Sequence, residues 1–508
     1  MQLGVDFGTT RVVVAAADRG NYPIVTFDSP DGWGREWFPT LLAIGPEGVR
    51  SGFEALDVAH LPGWRAVRSL KRELTGCGPL DTVAGRPVGE LLSCFLSDLR
   101  WALLERSNLD LASSEPLEVA LAVPANAPAS QRMLTMDGFR AAGFVVTRVL
   151  DEPSAAGLEY AWRRPRDAAV RRRHVAVYDL GGGTFDAAVI SMSDDLHEVL
   201  GTEGVSRLGG DDFDAALLEL LLAAGAIAPP ADDTERDLLL EACREAKESL
   251  GPHARYVTPE VPGRSGEVRV EVADFEAAVQ PLVEQSLAAL DAALGQMARR
   301  KGSEVERSTV VYQVGGASQL RLVGRLLRER YGRRVWRSPY PHASVAIGLA
   351  IAAEEDYSPR ILGRLTRHFG VWRERRAGSE LCFDPVLAKG TPLPAPNEPP
   401  LEERRHYRAA HNVAHYRFLE CSRLADDGGP AGDVSPWREV RFPLVADLRE
   451  AELAGIGVER LDEEGDEIEE RYTCDALGVV RVELRNLSSD YGQLVECQEA
   501  RPTGASSP

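Results

Sequence analysis

Lysine is nearly missing from this 508-residue chain: four lysines, at 71, 247, 301 and 389, stand among 58 basic residues. Basic charge as a whole is in deficit, with 78 acidic residues and a formal net charge of −20. A chain this acidic is ill-suited to nucleic acid as its main partner, because polyanions select basic surfaces. Cysteine is sparse too. The seven are scattered singly with no C-x-x-C pair, which supports neither a disulfide framework nor a zinc ribbon and points to reduced thiols and a cytoplasmic setting. No apolar run reaches the ~18 residues that a membrane helix needs. The longest, Leu217 to Ala228, is interrupted by Glu219 and stopped by Pro229-Pro230, so it reads as a core helix. The opening residues Met1 to Asp6 carry no basic region ahead of an apolar one, and no secretory signal is expected.

The length suggests two to four domains. Up to residue 356, short apolar strands alternate with helix-like stretches. Leu3–Asp6, Glu118–Val123, Val175–Asp179 and Thr309–Val314 read as strands; Leu238–Leu250 and Phe275–Ala298 read as helices. Such alternation predicts an α/β fold around a largely buried sheet. Beyond it, helical periodicity fades. Thr391 to Pro400 holds five prolines, a loop, and Val479–Leu484 alternates as a half-buried strand does. The expected organisation is an α/β domain over 1–356, a linker over 357–375, a smaller β-rich domain over 376–498 and a disordered tail over 499–508. The acidic run Asp462–Glu470 reads as a solvated loop. The arginines at 163, 164, 166, 171, 172 and 173 read as a surface loop or a patch for an acidic partner.

Two segments look like copies of one device: Asp6-Phe7-Gly8-Thr9-Thr10 and Asp179-Leu180-Gly181-Gly182-Gly183-Thr184-Phe185-Asp186. Each is a strand ending in aspartate, then a Gly/Thr turn. Glycine lets backbone bend sharply and approach a phosphate, and the exposed N–H groups of such a turn make an anion-binding concavity. Threonine adds a hydroxyl donor. Aspartate supplies hard oxygen for Mg²⁺, which keeps several waters and needs only one or two carboxylates. Two such turns facing each other suit a di- or triphosphate. A third glycine pair, Gly315-Gly316, follows another strand and suits close approach to a nucleoside.

These segments resemble the phosphate and adenosine motifs of the actin-like ATPase superfamily, and within it the heat-shock-70, or DnaK-like, chaperones. The stretch from Ala122-Val123-Pro124 through Ser130-Gln131-Arg132 to Glu152-Pro153-Ser154-Ala155-Ala156 is similar to that family's V-P-A … S-Q-R … E-P-T-A-A pattern. Arg132 follows Pro124 by eight residues and Glu152 by 28, as in the family. Leu208–Asp214 resembles its L-G-G-E-D-F-D, and Val345–Ala350 its closing helix. The resemblance implies a two-lobed nucleotide-binding domain followed by a β-sandwich that binds peptide. It implies ATP/ADP and Mg²⁺ as ligands, extended apolar polypeptides as clients, and a J-domain co-chaperone and a nucleotide exchange factor as partners.

Roles carry over by position. Asp6, Asp179 and Asp186 match metal-holding carboxylates. Lys71, Glu152, Asp179 and Thr184 match the hydrolytic set, Glu152 orienting the attacking water. Gly8, Thr9, Thr10, Gly181, Gly182, Gly183, Gly209, Gly210, Lys247, Gly315 and Gly316 match nucleotide contacts. Pro124, Arg132 and Glu152 match a relay between domains, although Pro124 also serves as a plain strand terminator.

Several positions depart from the family. Glu248 and Gln319 stand where arginines stack on adenine, Arg244 stands for a glutamate and Gly251 for a serine. Loss of two stacked guanidiniums, each ~0.5–2 kcal/mol, implies weaker nucleotide binding or relaxed base preference. In Arg360–Arg367 the charged neighbours of the linker's apolar run have changed sign, which bears on co-chaperone use and domain docking. After the last matched strand the 26 remaining residues are too few for the family's helical lid, so an unlidded cleft with fast peptide exchange is expected. An ATP-dependent chaperone is the leading reading. A nucleotide-sensing adaptor with little or no ATPase activity is the alternative, and a small-molecule kinase of the same superfamily is a third.

Overall fold

The strand-like segments pair into two sheets of the same design in a computed structural model that describes residues 1–74, 81–163, 174–192, 196–224, 227–261, 267–354, 360–395 and 397–497. The first sheet runs Val145–Asp151, Glu118–Val123, Gln2–Phe7, Arg11–Ala16, Phe38–Pro39. Its first three strands are parallel and the remaining pairings antiparallel. The second runs Val335–Arg337, Val310–Val314, His174–Leu180, Phe185–Met192, Leu196–Val205, Arg360–Leu362. It repeats the pattern: three parallel strands, then antiparallel hairpin pairing. The central strands are buried along most of their length, which is why they read as continuous Val/Ala/Leu runs rather than alternating ones. Tyr178, Phe185, Phe213 and Phe275 anchor the core of the second lobe.

One helix ties the two sheets together. Ser344–Ala353 is buried on every side, so it shows no amphipathic face. It packs close because the contact points are glycine. A Cβ on Gly4 would lie 2.2 Å from the Ala346 carbonyl oxygen, and one on Gly348 would lie 1.7 Å from that of Ala155. Elsewhere the expected helices appear with shifted ends. Asp233–Glu248 starts earlier than its apolar pattern because Asp232 caps it, accepting from the Glu235 N–H at 2.8 Å. Val272–Lys301 overruns its predicted span at both ends. The core helix expected from Leu217 is the second half of Gly210–Ala223.

The chain divides into two compact units: the first holds residues 1–74, 80–126 and 136–361, and the second 75–79, 127–135 and 362–508. The second is a β-sandwich of two antiparallel four-stranded sheets. One orders Glu380–Leu387, His368–Arg375, Val413–Leu424, Pro430–Pro443; the other Leu401–Arg408, Glu467–Cys474, Val480–Asn486, Tyr491–Val495. Phe369, Phe418, Trp437 and Tyr472 fill its centre, with Phe369 and Trp437 in edge contact at 5.1 Å. Within this unit the Ala129 N–H donates to buried Glu420 at 2.9 Å, and Arg132 donates to the Leu477 carbonyl at 3.2 Å.

Two expectations are corrected here. The segment expected as linker contains the strand His368–Arg375, whose Phe369 and Val371 are core residues. The acidic run does not end in a solvated loop. Its last residues begin the strand Glu467–Cys474, and Glu470 is fully buried. Arg373 makes this tolerable, donating to both Glu470 oxygens at 3.0 and 2.7 Å. Counting like charges along the sequence misses a partner that arrives from nearly a hundred residues away. Of the arginine cluster, only Arg163 lies within the described residues, as does none of the expected tail. Among the described residues no helix is long and apolar enough to cross a membrane, and the six cysteines there are free.

Breaking the buried pair should be costly: Arg373→Met leaves Glu470 uncompensated and should cost the sandwich about 3–5 kcal/mol in a denaturant titration. A second outcome concerns acid. Burial in the strand Leu196–Val205 depresses the His197 imidazole to about 4. The folded state therefore holds it neutral while the unfolded chain binds a proton below about 6.5. Its stability is complete above that value and is lost as pH falls toward 4. His197→Val should shrink the drop in denaturant midpoint between pH 7 and pH 4.5, by about 2 kcal/mol of unfolding free energy.

Candidate functional site

The two Gly/Thr turns have the same hydrogen-bonded form. Gly8 donates to the Arg11 carbonyl at 3.1 Å, and Gly181 to the Thr184 carbonyl at 3.0 Å. Each closes an antiparallel hairpin, with Asp6 opposite Val13 in one and Asp179 opposite Asp186 in the other. The tips meet. A Cβ on Gly182 would stand 2.7 Å from Thr10 Oγ1, and one on Gly183 would stand 2.6 Å from Thr9 Oγ1, so only bare backbone fits. The strand Val310–Val314 brings in Gly315, whose φ of +88° lies in the left-handed region. A side chain there would strike Asp179 Oδ1 at 2.5 Å.

Between the hairpins lies a cavity of about 140 Å³. Lining it are Asp6, Gly8, Thr9, Thr10, Lys71, Glu152, Asp179, Gly181, Gly182, Thr184, Gly210, Lys247, Gly315 and Gly316, all expected from the sequence. Three expected residues are not in its wall. Gly183 turns its carbonyl to Arg72, which donates through Nη2 at 2.6 Å. Gly209 packs on the Gly182 backbone, where a Cβ would sit 2.6 Å away. Asp186 is buried and accepts from the Ala125 N–H at 2.9 Å.

Lys71 comes from the short helix Leu70–Glu73, seated by fully buried Leu70 and Leu74. Ser69 enters it with a left-handed φ of 55° and donates to Asp211 at 2.8 Å. That strained entry for a non-glycine residue is held by the contact. The ammonium forms a buried ion pair with Glu152. Burial opposes charge on Lys71, but Glu152 and Asp6 outweigh it and raise its pKa. The carboxylates pay the opposite way: burial, then the Glu152 charge, lifts Asp6 to about 7 and Asp186 to about 8, and Asp179 rises for the same reasons. Such a site carries more negative charge than one lysine offsets, which suits a divalent cation. Among the described residues no three donor side chains converge tightly enough to ligate an ion directly. Asp6 and Asp179 bring hard carboxylate oxygen to the cavity, a donor set that fits Mg²⁺ retaining most of its waters.

A second, larger cavity of about 870 Å³ adjoins the first. It holds what the sequence reading missed. Glu248 is paired with Arg11, Nη2 to Oε2 at 2.5 Å, and Gln319 accepts from Arg337 at 2.9 Å. Both departures from the family pattern thus bring an arginine to the cavity from another element. Arg11 directly follows Thr10, the last residue of the first motif, and that adjacency was the one signal that could have found it. Nothing in the local sequence around Trp37, which lies under the Arg11 guanidinium at 4.4 Å, or around Arg337 marks either residue. Lys247 lines both cavities; its Nζ donates to the Gly210 carbonyl at 2.8 Å and pairs with Asp214 at 2.6 Å.

An Hsp70 protein family model matches residues 107–356. The chain is 32% identical over 372 residues to a chaperone protein HscA homolog from Polynucleobacter necessarius, covering 69% of this chain and 58% of that protein. It is 33% identical over 371 residues to the chaperone protein HscA of Escherichia coli, covering 69% and 57%. The match spans under three fifths of these relatives' length.

Charge relief at this site can be measured. Asp6→Asn should raise the thermal midpoint of the ligand-free chain at pH 8, because it removes one like charge from the crowd around Glu152, and should weaken Mg-nucleotide binding at least about tenfold. Calorimetry and a thermal melt of the same sample read both.

Proposed function

The chain belongs to the Hsp70 family, with a two-lobed ATPase fold followed by a β-rich unit, and from that premise we propose that it binds Mg-ATP between its hairpins, hydrolyses it slowly and couples both events to the grip on extended apolar polypeptide. The observation that carries this reading is the convergence of Lys71, Glu152, Asp6 and Asp179 on one cavity walled by three glycine turns. The turns cradle phosphates through backbone N–H groups and the hydroxyls of Thr9, Thr10 and Thr184. Asp6 and Asp179 would hold the cation through water, and it would supply charge neutralisation on the phosphates. Glu152 orients a water for in-line attack, and Lys71 fixes the Glu152 carboxylate and offsets charge that spreads in the transition state.

The β-sandwich suits an extended segment added by strand pairing with side-chain pockets. A J-domain co-chaperone and a nucleotide exchange factor are the partners this reading implies. Coupling then amounts to a population shift between two states of the nucleotide-bound chain. A second reading, a nucleotide-sensing adaptor with little turnover, is favoured by one observation: Glu248 puts an anion in the wall of the phosphate cavity.

Single-turnover hydrolysis with and without an apolar peptide separates them. Peptide stimulation supports the chaperone; nucleotide-dependent partner binding without turnover supports the adaptor. Lys71→Ala should lower the rate at least ~10²-fold, or ~2.7 kcal/mol. A rate equal to wild type would remove Lys71 from the hydrolytic set.

A further inference from the structure

The two cavities share part of their walls, and Arg11, Trp37, Lys247 and Glu248 belong to both. These residues line the passage between the space for phosphates and the space beyond it. One ion pair spans that passage. Arg11 reaches in from the start of the strand Arg11–Ala16, and Glu248 from the end of the helix Asp233–Glu248.

The cations around the inner cavity differ in how firmly they are held. Lys71 and Glu152 are 6% and 9% exposed as side chains, and Lys247 and Asp214 10% and 2%. Arg244 is 17% exposed and pairs with Asp211, Asp214 and Glu241. Arg11 and Glu248 are 35% and 42% exposed. Buried pairs are costly to open, whereas a solvated pair is weak and exchangeable. Arg11 is also held from a second direction by an aromatic face, with its guanidinium carbon 4.4 Å from the centre of the Trp37 ring. The ring face attracts a guanidinium whether or not a carboxylate is paired with it.

We propose that Arg11 is a nucleotide-positioning residue kept in reserve by Glu248. A polyphosphate entering the inner cavity takes the place of the Glu248 carboxylate on Arg11, and Trp37 holds the guanidinium on station through the exchange. The proposal rests on the inner cavity being a polyphosphate site. It makes Glu248 an internal competitor that sets affinity through Arg11, rather than a plain anion repelling the ligand.

Calorimetric titration of the full chain with Mg-ATP at fixed ionic strength tests it, on wild type, Glu248→Gln, Arg11→Ala and the double variant. Glu248→Gln should tighten binding about two- to fivefold. Arg11→Ala should weaken it about tenfold or more, the scale of a charge-assisted contact. In the Arg11→Ala background the gain from Glu248→Gln should vanish, because both residues act through one exchange. An undiminished gain in that background would mean simple repulsion and overturn the proposal, as would unchanged affinity in Arg11→Ala. Thermal melts of each variant report folding separately, and both side chains are solvated enough for the variants to fold. A wild-type chain that binds no Mg-ATP would overturn the polyphosphate reading of the cavity itself, and this proposal with it.

Discussion

Three buried carboxylates, Glu152, Asp179 and Asp186, and the half-buried Asp6 crowd around a single ammonium, that of Lys71. Folding alone does not relieve that excess, since burial and the neighbouring negative charge both push Asp6, Asp179 and Asp186 upward. The rest of the first unit is arranged so that the crowd can exist. The hairpins hold the aspartates by backbone register. Ser69 is bent into a left-handed turn to deliver Lys71. Bare glycine at the tips leaves room for the turns to touch. A structure that keeps like charges together at a cost keeps them for a ligand that takes the cost away.

The same logic separates the two units. The first concentrates uncompensated charge at its cavity. The second buries charge as well, but compensates it: Glu470 meets Arg373 in a two-pronged contact, and the Tyr472 hydroxyl donates to the same carboxylate. Arg373 also reaches Asp384 at 2.7 Å. Satisfied networks of this kind fix a sandwich's register, whereas unsatisfied ones mark where something else must bind.

How legible this was depended on whether a signal was local. The hairpin motifs were, because a strand, an aspartate and a glycine turn occupy consecutive residues, and nearly all the expected cavity residues line it. Lys71 stood out because lysine is scarce. What escaped was pairing across long separations. Glu470 looked solvated until Arg373 arrived, and Glu248 looked like a simple loss until Arg11 and Trp37 were seen beside it. The strand His368–Arg375 was hidden for another reason. Its apolar positions alternate over too short a stretch to stand apart from a connecting segment. Gly183, Gly209 and Asp186 were recognised as parts of the motif, but a motif does not say which of its members face the ligand and which support the loop.

The helix Ser344–Ala353 touches strands of the first sheet and the helix Glu152–Arg163, its glycine and alanine positions letting backbones approach while Val345, Ile347, Leu349 and Ile351 are buried among neighbouring side chains. If the lobes hinge about the cavity, this rod is their natural axle. A methyl group at Gly348, 1.7 Å from the Ala155 carbonyl oxygen, would have no room without prising the two helices apart, and so would disturb the seam behind the cleft before it touched the groups inside it.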